Sequence, residues 1–204
     1  HTCAILDDGS VSCWGYGFYG QLGNGGTSTE YTPTPTSSLG TSRTAVAISS
    51  GLSHTCAILD DGSVSCWGDG SYGRLGNGGT STEYTPTPTS RLGTERTAVA
   101  ISSGLSHTCA ILDDGSVSCW GNGGNGQLGN GGTSDANTPT PTSSLGPGRT
   151  AVAISSGGEH TCAILDDGSV SCWGSGFIGE LGNGGTSDAT TPTPTSSLGT
   201  GRTA

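Results

Sequence analysis

The sequence contains no methionine and no lysine, and its only strongly basic groups are six arginines. Sixteen acidic residues outweigh them and give a formal net charge of −10. A phosphate backbone needs a basic surface, so this balance argues against a nucleic-acid partner. No apolar run approaches the ~20 residues of a spanning helix, and no membrane span is expected. Hydrophobic residues make up 30% of the 204 and aromatics 5%, little for a globular core. No apolar period of 3.6 is found, so no helix is expected. What abounds is glycine, at 39 residues, and there are eight cysteines.

Those cysteines sit in a repeat. His1, His54, His107 and His160 each open the phrase His-Thr-Cys-Ala-Ile-Leu-Asp-Asp-Gly-Ser-Val-Ser-Cys-Trp-Gly, 53 residues apart. The units are 1–53, 54–106, 107–159 and a shortened 160–204. Four full copies need 4 × 53 residues, eight more than the chain has, and the missing eight correspond to 46–53. The chain therefore reads as a piece of a longer repetitive protein. Periods of this length mark solenoids, propellers or arrays.

Within a unit the composition is that of strands. Residues 1–6 and 10–14 flank Asp7-Asp8-Gly9 and read as a hairpin. Residues 45–50 form a short apolar strand. Residues 32–39 supply a fourth, whose prolines confine it to a sheet edge or a polyproline-like segment. The fold class is all-β, with four near-identical four-stranded units, either propeller blades or rungs of an open array.

Pairing Leu6 with Ser10 around the turn sets Cys3 opposite Cys13, at a separation a disulfide spans. The same register joins Cys56 to Cys66, Cys109 to Cys119 and Cys162 to Cys172. An oxidising, extracellular or cell-surface location follows. Free buried thiols, or a zinc site of His1, Cys3 and Cys13, are the alternatives. Zinc would lack a fourth ligand.

The motif Gly51-x-x-His54, then Asp61-Gly62, Trp67-Gly68 and Gly73-x-Leu75-Gly76 resembles the regulator of chromosome condensation repeat family. The pattern runs through all four copies. The resemblance implies a β-propeller, usually of seven blades. The paired cysteines resemble the family's secreted, disulfide-bearing members more than its nuclear founder.

Candidate sites divide between structural and functional roles. The identical His in every copy points to a hydrogen bond within each blade, not to catalysis. Paired Asp residues suit turn chemistry better than Ca²⁺ binding. Trp14, Trp67, Trp120 and Trp173 should pack between units. Thr32, Thr34 and Thr36, with Thr85, Thr87, Thr89, Thr138, Thr140, Thr142, Thr191, Thr193 and Thr195, have the Ser/Thr-Pro composition of O-glycosylated stretches. The first two repeats differ at five positions only: Tyr16/Asp69, Phe18/Ser71, Gln21/Arg74, Ser38/Arg91 and Ser42/Glu95. Tyr16, Phe18, Tyr19, Tyr72 and Phe177, in the variable loops, are candidate anchors for a protein partner.

The expectation is therefore an extracellular structural or adhesive repeat protein, self-assembling as a surface appendage or fibre. It would be no enzyme and would need no cofactor or metal. The alternative is a secreted β-propeller that binds another protein through its variable loops.

Overall fold

The computed structural model describes all 204 residues. Fifteen strands form four antiparallel sheets. The first sheet holds β1 (Thr2–Ile5), β2 (Val11–Gly15) and β3 (Glu30–Pro35). The second runs in the order β4 (Ala45–Ser50), β5 (His54–Leu59), β6 (Val64–Gly68), β7 (Glu83–Pro88). The third has β8 (Ala98–Ser103), β9 (His107–Leu112), β10 (Val117–Gly121) and β11 (Ala136–Pro141). The fourth has β12 (Ala151–Ser156), β13 (His160–Leu165), β14 (Val170–Gly174) and β15 (Ala189–Pro194). Each four-stranded sheet is a blade. It takes its first strand from the end of the preceding sequence repeat, so the blades are phased earlier than the histidine-led units.

The hairpin register is the one the turn dictates: Ile5 faces Val11, Ala4 faces Ser12 and Cys3 faces Cys13. All four Cys pairs are disulfides, each with a sequence separation of 10, and no cysteine is free. Their sulfurs are thus consumed, which removes both the thiol and the zinc alternatives. In the second and third blades these cysteines are fully buried at mid-sheet, where a larger apolar side chain would otherwise sit. Aspartate makes the turn: Asp61 Oδ1 accepts from the Ser63 backbone N–H at 3.0 Å and from its hydroxyl at 2.6 Å. These hydrogen bonds, ahead of the Arg43 charge, hold the Asp61 carboxyl below its ordinary range.

The proline-bearing strand is the outer edge of each blade, as its missing N–H donors require. It starts and ends earlier than the composition suggests, at Glu30–Pro35 rather than 32–39. A register shift between Cys13 and Gly15 brings Gly15 opposite Glu30 and draws that residue into the ladder. The one helical element is a single 3-10 turn, Ser71–Gly73.

Strands β4, β8 and β12 pack side by side at the inner end. There the Ser103 N–H donates to Ser49 Oγ at 2.9 Å, and the Ser156 N–H to Ser102 Oγ at 2.8 Å. Three of the four tryptophans pack between blades as their bulk suggests, whereas Trp14, in the first sheet, is only half-buried. Trp67, Trp120 and Trp173 are fully buried, and each lies on a glycine of the preceding blade. A Cβ on Gly76 would meet Trp120 Nε1 at 2.8 Å, so the ring needs a residue without a side chain beneath it. Burying one such side chain contributes on the order of 2–3 kcal/mol.

The histidines correct the sequence reading, because their hydrogen bond crosses between blades. His54 Nε2 lies 2.9 Å from Thr108 Oγ1, His1 Nε2 2.8 Å from Thr55 Oγ1, and His107 Nε2 2.8 Å from Thr161 Oγ1. The Thr108 hydroxyl donates its single proton to the Arg74 carbonyl at 3.0 Å. It must therefore accept from His54, which fixes the Nε2–H tautomer and leaves Nδ1 unprotonated and unpartnered. The ring lies against the backbone: a Cβ on Gly51 would come within 2.3 Å of the His54 ring. That explains the Gly-x-x-His spacing.

Burial drives the His54 imidazole down to about 3 and His107 to about 4, with the Arg74 charge adding to the effect at His54. Both folded values lie below the ordinary 6.5, so the unfolded chain takes up protons first. The stability they contribute is complete above about pH 6.5 and is lost as pH falls toward the folded values. Urea unfolding at pH 7.5 and pH 5 should show a loss of about 2 kcal/mol per buried histidine. A His107→Asn variant should lose correspondingly less over the same interval. A second expectation concerns the cross-links. Replacing Cys109 and Cys119 together by Ala should lower stability by about 3 kcal/mol through loop entropy, read from urea midpoints.

Candidate binding face

Register decides which loops share a face. His54 pairs with Gly68, and Leu59 with Ala45, so the Gly51-Leu52-Ser53 link and the loop after Gly68 lie at one end of the blade. The Asp-Asp-Gly turn lies at the other, where Pro88 pairs with Ser65 and the crossover to the next blade begins. The molecule thus has a loop face and a turn face.

The turn face is ionic. Arg43 reaches Asp61 at 2.7 Å, Arg96 reaches Asp114 at 2.9 Å, and Arg149 reaches Asp167 at 3.1 Å. Each arginine ends a crossover and clamps it onto the turn of the blade it enters. In the second, third and fourth blades the paired aspartates are therefore occupied by turn and crossover contacts.

The loop face carries every candidate anchor. Tyr16, Phe18 and Tyr19 come together in the β2–β3 loop. The Tyr16 and Phe18 ring centroids are 6.3 Å apart and nearly parallel, and Phe18 meets Tyr19 edge-on at 5.3 Å. All three remain exposed, Phe18 by 61%. Tyr72 and Phe177 belong to the equivalent loops of the second and fourth blades and do not join that cluster. Phe177 is 80% exposed. Sequence reading missed Leu52, Leu105 and Ile178, which are exposed on the same face. It also missed Tyr84, whose ring lies against Gly20. Only the register reveals them, although a leucine inside the turn-like Gly-Leu-Ser was a signal.

One position in these loops sets their internal order. Gln21 Oε1 accepts from the Tyr19 N–H at 2.9 Å, and Gln127 Oε1 from the Asn125 N–H at 2.8 Å. Glu180 Oε2 does the same for Ile178 at 2.8 Å. In the second blade Arg74 stands there instead and donates to the Ser71 carbonyl at 3.0 Å. It is 4% exposed and pairs with Asp69 at 3.3 Å. Tyr72 then takes a left-handed φ of 62° and lies under the guanidinium at 5.5 Å. The indole N–H groups of Trp67 and Trp173 donate to the Gln21 and Gln127 carbonyls, whereas that of Trp120, beside the altered loop, has no partner.

The threonines of the outer strand are not equivalent. Thr32, Thr85, Thr138 and Thr191 are exposed. Thr34, Thr87, Thr140 and Thr193 are half-buried, and their hydroxyls donate to the carbonyl two residues back. Thr36, Thr89, Thr142 and Thr195 follow the strand and are also half-buried.

Comparison with known proteins agrees with this architecture. A profile described as the regulator of chromosome condensation (RCC1) repeat matches residues 8–58, 61–111 and 114–164. The chain is 37% identical over 200 residues to the ultraviolet-B receptor UVR8 of Arabidopsis thaliana, covering 98% of this chain and 45% of that protein. It is 34% identical over 198 residues to the E3 ubiquitin-protein ligase HERC2 of Homo sapiens, covering 96% of this chain and 4% of that protein. Human WBSCR16 superimposes with a TM-score of 0.84 at 23% identity, over 95% of this chain and 50% of that one. Prp20p of Saccharomyces cerevisiae gives 0.80 at 20% identity, over 94% and 47%. At such identities the solved structures share the fold, a β-propeller. The chain spans half or less of each relative.

The Asp69–Arg74 pair of the second blade stands where the third has Asn122 and Gln127, joined at 2.6 Å. Arg74→Gln alone strips a mostly buried carboxylate of its cation and should cost about 1–2 kcal/mol. Adding Asp69→Asn copies the neighbouring pair and should return stability to within about 0.5 kcal/mol of the parent. Chemical unfolding of the three proteins reads this coupling.

Proposed function

The chain belongs to the regulator of chromosome condensation (RCC1) repeat family, and from that membership we propose that it is the disulfide-braced part of a β-propeller that binds another protein through its loop face. The observation that carries this reading is the exposed aromatic cluster of Tyr16, Phe18 and Tyr19, on a loop whose counterparts in other blades join the same two strands without it. Aromatic side chains supply large contact area at small entropic cost and dominate binding hot spots. Exposed Leu52, Phe177 and Ile178 extend the apolar character of that face. Prp20, which shares the fold, has been crystallised with the protein Kap60.

The proposal is of a binder without catalytic chemistry. Its histidines support this, since His54 and His107 are sealed between blades and held neutral. It is further proposed to work in an oxidising compartment, outside the cell or at its surface. Four disulfides that use every cysteine support that location. Nucleic acid is a poor partner for a chain of net charge −10.

A second reading is self-assembly into a structural or adhesive fibre. It is favoured by the near-identity of the first two repeats, which differ at five of 53 positions.

The test places a photo-crosslinking amino acid at Phe18, at Phe177 and, as a rim control, at Thr32 in the full-length protein. A single partner protein captured from the loop positions and not from the rim is the expected result. The capture should disappear when Tyr16, Phe18 and Tyr19 are all changed to Ser. Adducts between copies of the same protein would establish the fibre reading instead.

A further inference from the structure

The turn face holds a groove that the loop-face reading does not use. It lies in the second blade, between the start of β6 and the crossover that leaves β7. Its cavity of about 400 Å³ is lined by Ser63, Val64, Pro88, Arg91, Leu92 and Glu95, among others. That is the size of a site for a few-residue ligand. We propose that this groove recognises a polypeptide segment that presents one carboxylate and one cationic side chain across a small apolar contact.

Three observations converge on it. Two of the five positions at which the second repeat departs from the first, Arg91 and Glu95, line this one cavity. The corresponding residues elsewhere are Ser38 and Ser42, Ser144 and Gly148, and Ser197 and Gly201. The equivalent groove of the fourth blade has about 210 Å³. The fourth-blade groove is lined by Asp167 and Arg202 but has no charged counterpart of Arg91 or Glu95, so the larger volume and this pair of charges belong to the second blade and not to the repeat.

The charges are also unspent. Arg43, Arg74, Arg96 and Arg149 are all ion-paired with aspartates. Arg91 and Glu95 have no ionic partner, not even each other, although they share the groove.

Finally, the backbone is strained to put Glu95 there. Its φ is 56°, in the left-handed region that the third and fourth blades fill with Gly148 and Gly201, each at 68°, and the first with the small Ser42 at 55°. Glu95 thus holds a long charged side chain on a backbone that glycine would occupy at lower cost.

The pairing of signs selects the ligand. A phosphate, a sulfate or an acidic sugar would satisfy Arg91 and be repelled by Glu95. An amine or a divalent cation would do the reverse. A polypeptide carries both signs, and its small side chains suit a floor made by Val64 and Leu92, 2% and 7% exposed. A guanidinium takes a carboxylate bidentately. The ligand class rests on the protein-binding reading above, whereas the site itself rests only on the groove.

The experiment titrates the isotope-labelled chain with end-blocked octapeptides that pair one Asp with one Lys at every separation. Phosphate and galacturonate serve as single-sign probes. Backbone amide shifts are followed for the parent, Arg91→Ser and Glu95→Gly, each variant copying a residue that another blade holds. Shifts confined to 63–64 and 88–96 are expected with a subset of the mixed-charge peptides. Binding should weaken roughly five-fold in either variant. Arg91→Ser should lose preference for the Asp, and Glu95→Gly for the Lys. Glu95→Gly should also unfold at a higher temperature, because strain is relieved.

Equal binding by parent and variants, binding of phosphate or galacturonate in preference to the peptides, or a lower unfolding temperature for Glu95→Gly would each overturn the proposal. The Tyr16→Ser, Phe18→Ser, Tyr19→Ser variant should bind the peptides unchanged. Failure of the groove is thereby read separately from failure of the loop face.

Discussion

A threonine hydroxyl pinned between two groups of the preceding blade is the joint on which this architecture depends. Thr108 accepts from His54 and donates to the Arg74 carbonyl, and Thr55 and Thr161 repeat the arrangement. Each joint satisfies polar groups that no single blade could satisfy alone. It also holds the surfaces close enough for a tryptophan to lie flat on a glycine. A blade has too few large apolar residues to cover both its faces, so its stability is shared with its neighbours. The cysteine pair supplies, inside the sheet, cohesion that the composition does not.

Much of this was legible in the residues. A turn of known chemistry fixes the hairpin, and a period of two then fixes which cysteines meet. The edge position of the proline strand follows from its missing donors. The histidine was misread because its partner lies 54 residues away, beyond one period. Within a single unit, a nearby hydroxyl looks like the natural partner. The boundary of the outer strand was misplaced because a register shift cannot be read from composition. Leu52, Leu105 and Tyr84 went unnoticed for a related reason: whether a loop residue faces solvent or a neighbouring blade depends on how units are phased.

The second blade departs from its neighbours on both faces at once. On the loop face, Asp69, Ser71 and Arg74 rebuild a loop and leave the Trp120 N–H without a partner. On the turn face, Arg91 and Glu95 charge a groove. Hairpin and inner strand are untouched. Variation reaches a joint only at Arg74, where the side chain changes while the backbone carbonyl that Thr108 uses is kept, so one unit of the stack is altered at the cost of the Trp120 hydrogen bond alone.

All four disulfides close within single hairpins, and none ties one blade to another. Under mechanical load, the joints are held only by hydrogen bonds and packing, while the middle of each sheet is covalent. Tension would peel the stack blade by blade. Each blade released would yield less slack than its length suggests, since the 10-residue span between its cysteines stays short-circuited. Of 53 residues per period, about 43 can extend, at roughly 3.5 Å each. The molecule would lengthen in equal steps, with every hairpin intact and ready to seed the return of its blade.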